Sequence, residues 1–184
     1  MEPVEITAGS LHLRPVTAAV TPASVIGRGI IATVTDPASV RWLPVPTPYT
    51  PEDARTWLAR CGEDWDTGHS AQWAVLDATT GDYLAGLTLR DLDRDARISN
   101  VGISVHPQAR GRGVAATAVR AAARWAFGAV GVERLEWYAA AGNAASISAA
   151  QRAGFRPEGV LRSWLVLRDG RHDAWLGSLL PGEA

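Results

Sequence analysis

V-G-I-S-V-H-P-Q-A-R-G-R-G-V-A, residues 101–115, is the stretch that decides how the rest of this chain is read. An apolar run over 101–105 predicts a strand, His106-Pro107 ends it, a Gly/Arg loop follows, and a helix opens near Val114. A strand that feeds a glycine loop and then a helix makes an anion site. Free backbone N–H groups of the loop and first turn converge on one spot, and the helix dipole favours negative charge there. Gly111 and Gly113 let the backbone approach that spot, and Arg110 and Arg112 add charge-assisted donors. A tight turn carrying two solvated arginines satisfies the same residues equally well.

The loop matches neither G-x-x-x-x-G-K-[ST] nor G-x-G-x-x-G. Gln108-Ala-Arg-Gly111-Arg-Gly113 resembles the Q/R-x-x-G-x-G/A loop of the GNAT superfamily of N-acetyltransferases. Downstream, G-N-A-A-S-I-S-A-A-Q-R-A-G-F (142–155) resembles the N-x-x-S...G-F signature of the Rim-type members, similar to ribosomal-protein alanine N-acetyltransferases. The resemblance implies an α+β GNAT fold over all of 1–184. It comprises a mixed central sheet of about six to seven strands, flanked by helices, with strands four and five splayed to take acetyl-coenzyme A (acetyl-CoA). It implies that Gln108, Arg110, Gly111, Arg112, Gly113, Val114 and Ala115 hold the pyrophosphate, that the pantetheine arm runs along Ile103, Ser104 and Val105, and that Asn143 bonds the arm. Ser146 would then protonate the departing thiolate. The amine attacks directly, with no metal and no acyl-enzyme, and a homodimer is allowed because relatives often form one. Read on spacing alone, Asn143 is an ordinary helix cap and Ser146 an ordinary first-turn residue.

Composition bounds the alternatives. The chain has 184 residues, 47% hydrophobic and 20% charged, enough for one domain with a substantial core. With 18 basic against 19 acidic side chains, no basic field recruits nucleic acid, so the acceptor is expected to be small or a chain end. No signal-like opening and no run of 18 apolar residues occurs, from which a soluble cytoplasmic protein without membrane partners is expected. The lone Cys61 has no ligand-spaced partner and reads as a plain thiol.

Along the chain, Leu11-His-Leu13-Arg-Pro15 alternates as a first strand, with 10–14 expected at the sheet edge. Thr21-Pro22 and Asp36-Pro37 each predict a cap and proline opening a short helix. The prolines of 42–49 predict an extended loop. Thr50-Pro51 opens a helix with Ala54, Trp57, Leu58 and Cys61 on one face, and Gly62 is expected to end it. Residues 71–76 and 83–89 form a hairpin around 79–82. After a polar turn over 91–96, residues 97–105 make the fourth strand, where Gly102 predicts a bulge or a close backbone approach. The helix 114–127 should bury Ala115, Ala118, Val119, Ala122, Trp125 and Ala126 and turn Arg120 and Arg124 outward. Residues 134–140 form the fifth strand, 143–153 a helix stopped by Gly154, and 160–167 with 173–179 a hairpin around Asp169-Gly170.

Glu136 and Tyr138 share one face of the fifth strand, and Glu136 is the candidate base if Trp137 packs inward; an ion pair with Arg134 or a neighbouring strand competes with that role. Trp42, Trp65, Trp73 and Trp137 either line an aromatic acceptor pocket or fill the core, with Tyr49 at the pocket's lip. The acceptor is expected to be a protein or peptide N-terminal α-amine. A small-molecule amine, or a regulatory module that binds acyl-CoA without turnover, are the other readings.

Overall fold

The computed structural model describes residues 1–93 and 95–184. Among them eight strands form one sheet: β1 (Ile6–Ala8), β2 (Leu11–Pro15), β3 (Ala71–Asp77), β4 (Tyr83–Asp93), β5 (Ile98–Val105), β6 (Arg134–Ala140), β7 (Arg156–Leu167) and β8 (Gly170–Leu179). Their spatial order is β1-β2-β3-β4-β5-β6-β8-β7. This is the expected α+β architecture with one strand more than the upper expectation, because residues 6–8 pair with β2 across a two-residue turn. That pairing removes residues 11–14 from the edge, which β1 takes instead. The anticipated fourth and fifth strands are therefore β5 and β6.

Among the described residues five helices cover the sheet: α1 (Val25–Thr35), α2 (Pro37–Val40), α3 (Pro51–Thr67), α4 (Val114–Trp125) and α5 (Ala144–Ala153). Alternation assigns the faces. Leu87, Val101, Leu135 and Trp137 point to the layer of α4 and α5, in a core with Val119, Ala122 and Ala150. Ala74, Leu76 and Tyr83 meet Ile26, Ile30, Leu58 and Cys61 of α1 and α3 on the other face.

Caps set most boundaries. Asp36 accepts from Ser39 N at α2, Thr50 and Asp53 form a reciprocal capping box at α3, and Asn143 accepts from Ser146 N at α5. At α1 the cap is Ser24, not Thr21, whose carbonyl instead accepts from the Ser24 hydroxyl. Helix α3 runs past Gly62 to a left-handed Gly68. Gly62 is buried, and a Cβ there would lie 3.0 Å from Ala18 N, so this glycine serves close packing and not termination. Helix α4 ends at Trp125, where a π-helical turn over Ala126–Val130 replaces the expected last turn; Ala115 and Trp125 are only half-buried, whereas Ala116, Ala121 and Ala123 are buried. The polar turn expected at 91–96 is shortened because β4 continues to Asp93; residue 94 lies outside the described residues.

The fourth-strand bulge is displaced. Pairing of β4 with β5 runs without interruption through Thr88↔Gly102, and the register shift falls on β4 between Arg90 and Asp93. Gly102 is a site of close approach, since a side chain there would overlap the Arg90 guanidinium. The β7–β8 hairpin is longer than anticipated and carries its own register shift between Leu161 and Leu165. Among the described residues no helix is long and apolar enough to cross a membrane.

Candidate active site at the parting of two strands

Strands β5 and β6 pair in parallel only at Ile98↔Arg134, Ser99↔Leu135 and Asn100↔Glu136. Beyond Asn100 they diverge, so among the described residues no strand pairs with the β6-facing edge of 101–105. That edge, which includes Ile103, Ser104 and Val105, offers backbone donors and acceptors to whatever fills the gap. The splay is present although the predicted bulge at Gly102 is not: β5 stays paired with β4 as far as Val105, and β6 with β8 as far as Ala140.

At the end of β5, a 3₁₀ turn (Pro107–Ala109) leads into the loop and then α4. Gly111 and Gly113 have φ of 75° and 77°, and Gly113 is the N-cap of α4. A Cβ on either would meet nothing within 4 Å, so the left-handed backbone demands the glycines and the space above them is open. The cradle fits a pyrophosphate: free helix N–H groups, no side chain overhead, and the Val114 and Ala115 amides in the first turn. Gln108 and Arg112 are exposed beside it. Arg112 lines a cleft of about 420 Å³ with Ser10, Asp77, Gly113, Thr117 and Arg120. A larger depression, about 720 Å³, follows the outer side of α3 and contains none of the expected site residues.

Arg110 is engaged elsewhere. Its Nη2 donates to Asp36 Oδ2 at 2.6 Å and Ser39 Oγ at 2.9 Å, fastening the loop to α2, and this bond with Arg110 is the main cause that holds the Asp36 carboxyl below its ordinary value. Sequence reasoning missed Asp36 because capping already accounted for it.

The two faces of the gap differ. On the α4 and α5 face, Trp137 Nε1 donates to Ser146 Oγ at 3.0 Å, and Ser146 N donates to Asn143 Oδ1 at 3.2 Å. Among the described residues nothing accepts the Ser146 hydroxyl hydrogen, so it is left to donate. On the α1 face, Glu136 accepts from Arg134 Nε at 2.7 Å through one oxygen and from Tyr138 Oη at 2.6 Å through the other. Arg134 also forks onto Glu158 at 2.9 and 2.6 Å, and Ser178 Oγ donates to Glu158 at 2.5 Å. These bonds, that from Arg134 foremost, depress the Glu158 carboxyl to about 2. Burial, reinforced by Glu136, pushes the Tyr138 phenol up to about 12 and keeps it protonated. Ser146 and Glu136 are thus placed on opposite faces, with the parting of β5 and β6 between them.

The tryptophans divide. Trp65, Trp73 and Trp125 pack edge-to-face with centroids 5.1 to 6.1 Å apart, and Trp137 packs on Phe155 at 5.4 Å. Trp65, Trp73 and Trp137 are therefore core, not pocket lining. Trp42 is half-buried over the turn before α5, its ring edge 3.7 Å from where a Gly142 Cβ would stand. Tyr49 is half-buried beside Asp53 and Cys61 of α3, and burial raises its phenol. Sequence reasoning also missed Trp164, which stacks on Tyr138 at 5.8 Å.

Comparison with known proteins agrees with this fold. The acetyltransferase (GNAT) domain model matches residues 11–156. The chain is 30% identical over 139 residues to YdaF of Bacillus subtilis (strain 168), provisionally named a ribosomal N-acetyltransferase, covering 72% of this chain and 74% of that one. Among solved structures, the ribosomal-protein-S5-alanine acetyltransferase of Vibrio fischeri superposes with TM-score 0.83 at 19% identity over 98% of both chains. Mycobacterium smegmatis RimJ, solved with CoA-disulfide, gives 0.79 at 20% identity over 98% of this chain and 87% of its own. The chain belongs to the GNAT family of acetyl-CoA-dependent N-acetyltransferases.

Proposed function

We propose that the chain acetylates the N-terminal α-amine of a protein or peptide, with the donor entering on the α4 and α5 face and the amine on the α1 face. Acetyl-CoA, when bound, supplies an activated acetyl group. The open edge of 103–105 aligns the pantetheine arm, the glycine loop of 111–113 takes the pyrophosphate, and Asn143 borders the arm. Ser146 donates its free hydroxyl hydrogen to the leaving sulfur, its oxygen held by Trp137.

The observation that carries the choice of acceptor is the state of Glu136. Both of its oxygens already accept hydrogen bonds, from Arg134 and Tyr138. A carboxylate so engaged is better suited to hold Tyr138 and an incoming amine in place than to deprotonate a strongly basic one. An α-amine needs only about 1.4 kcal/mol to lose its proton at neutral pH, against about 4.6 kcal/mol for a lysine amine. Glu136 then takes the proton that leaves through Tyr138 or water. The names of YdaF and of the Vibrio fischeri enzyme, both ribosomal, support a protein substrate.

The test is thiol release from acetyl-CoA with peptides bearing a free N-terminus, N-blocked peptides bearing lysine, and small amines. Preference for the free N-terminus is expected. Equal or faster turnover of small amines would refute the protein substrate, and thiol-silent binding of acetyl-CoA would identify a regulatory module.

A further inference from the structure

Trp164 stands where regular alternation would not put it. Leu161 pairs with Ala174 and Leu165 with His172, so residues 162–164 of β7 oppose Asp173 alone. Ala174 is in register with Ala140, which shares the α1 face with Glu136 and Tyr138. Leu161 and Leu165 therefore face the α1 side, and counting back one residue from Leu165 would turn position 164 to the other face. Instead the indole lies on Tyr138, rings 22° apart. The bulge that re-aims it has a conformational cost: Ser163 sits at φ 52°, a left-handed backbone without glycine's tolerance. It is held by Ser163 N donating to Asp173 Oδ1 at 2.8 Å and by Arg171 Nη1 donating to Ser163 O at 3.0 Å.

The result is a large apolar ring, stacked on Tyr138 and still 55% exposed, one stacking contact away from the phenol bonded to Glu136. A core role does not account for it, since burying the indole would be the stable alternative. A strained backbone that places an exposed aromatic beside the candidate reaction centre calls for a functional account. The hairpin tip extends the same wall: Arg168 donates to the carbonyls of Val40 and Val45, joining β7 to the proline loop.

We infer that Trp164 is a specificity-determining residue for the acceptor, packing its exposed surface on the first side chains of a peptide whose α-amine lies at Glu136 and Tyr138. This rests on the proposed protein acceptor and names what that acceptor must present: apolar or planar surface in its leading residues. An amine too short to reach the indole gains nothing from it.

The test compares wild type, Trp164→Ala and Trp164→Tyr with a peptide opening in apolar residues and with glycinamide. For the peptide, Trp164→Ala should raise KM about tenfold or more at little-changed kcat, from the loss of roughly half an indole's contact area, and Trp164→Tyr should restore most of it. The acetyl-CoA Kd should barely move, and the glycinamide KM should change far less than that of the peptide, because an amine so short does not reach the indole. Unchanged peptide KM, or equal losses for peptide and glycinamide, would overturn the inference while leaving the peptide substrate standing. A wild type that turns over glycinamide but no peptide would overturn both.

Discussion

Ser146 and Glu136 were both readable as candidates, yet for different reasons, and the structure shows why their roles separate. Asn143 and Ser146 share a first helical turn at spacing three, so their joint placement follows from the sequence once Gly142-Asn143 is read as a cap. Arg134, Glu136 and Tyr138 at spacing two share a strand face, but which of the competing partners Glu136 takes depends on neighbouring strands. Trp164 was illegible, because a three-residue bulge reverses the alternation used to assign faces. Ser146→Ala should lower kcat at least tenfold with acetyl-CoA Kd near constant, as loss of a positioned proton donor typically costs about 10²–10⁴-fold. Single-turnover kinetics with separate calorimetry check this, and full activity would leave water or Tyr138 as the donor. Tyr138→Phe removes the phenol and its bond to Glu136, and should reduce kcat for a peptide by more than it raises KM; the reverse pattern would make Tyr138 a binding group only.

At the scale of elements, the glycine loop and the helix it opens were legible because local chemistry decides them: left-handed glycines, a cap, a dipole. Interior glycines were legible only in part: a close approach was one of the two expectations at Gly102, but not that its partner is Arg90, and Gly62, expected to end α3, answers to Ala18 instead. Gly113→Val places a β-branched residue at φ 77° over the open cradle, and should weaken acetyl-CoA binding by at least tenfold; calorimetry on a folded variant measures it, and unchanged affinity would remove the loop from the donor site. Asp36→Asn keeps a good helix cap but discharges the partner of Arg110. Because α2 also meets the β7–β8 hairpin through Val40, the expected outcome is a raised acceptor KM with acetyl-CoA Kd within about twofold, inside the range of ordinary surface ion-pair effects. Steady-state titration of each substrate separates the two constants.

Across the whole molecule, one sheet serves as both scaffold and partition, and its two faces are joined where β5 and β6 part. Three strands, β6, β8 and β7, are fastened on the α1 face by Arg134, Glu158 and Ser178. Glu158 has a folded-state value of about 2, below the ordinary 4.5, so its contribution to stability is present above about pH 4.5 and fades as pH falls towards 2. Urea unfolding of wild type and Glu158→Gln should therefore differ most at pH 6, with the gap narrowing steadily as pH falls from about 4.5 towards 2; a gap independent of pH would assign the loss to packing.

The central claim, acetyl transfer to an α-amine across that parting, is tested most directly by the pH dependence of kcat/KM with a peptide bearing a free N-terminus. Tyr138, with its phenol near 12, stays protonated through the assay range and leaves the acceptor's own ionisation visible. The rate should rise with pH and level at about pH 8, the ordinary range of an α-amine, and Glu136→Gln should keep that plateau position. A profile still climbing beyond about pH 9 with the best acceptor would contradict the account, because it would report a lysine-like amine.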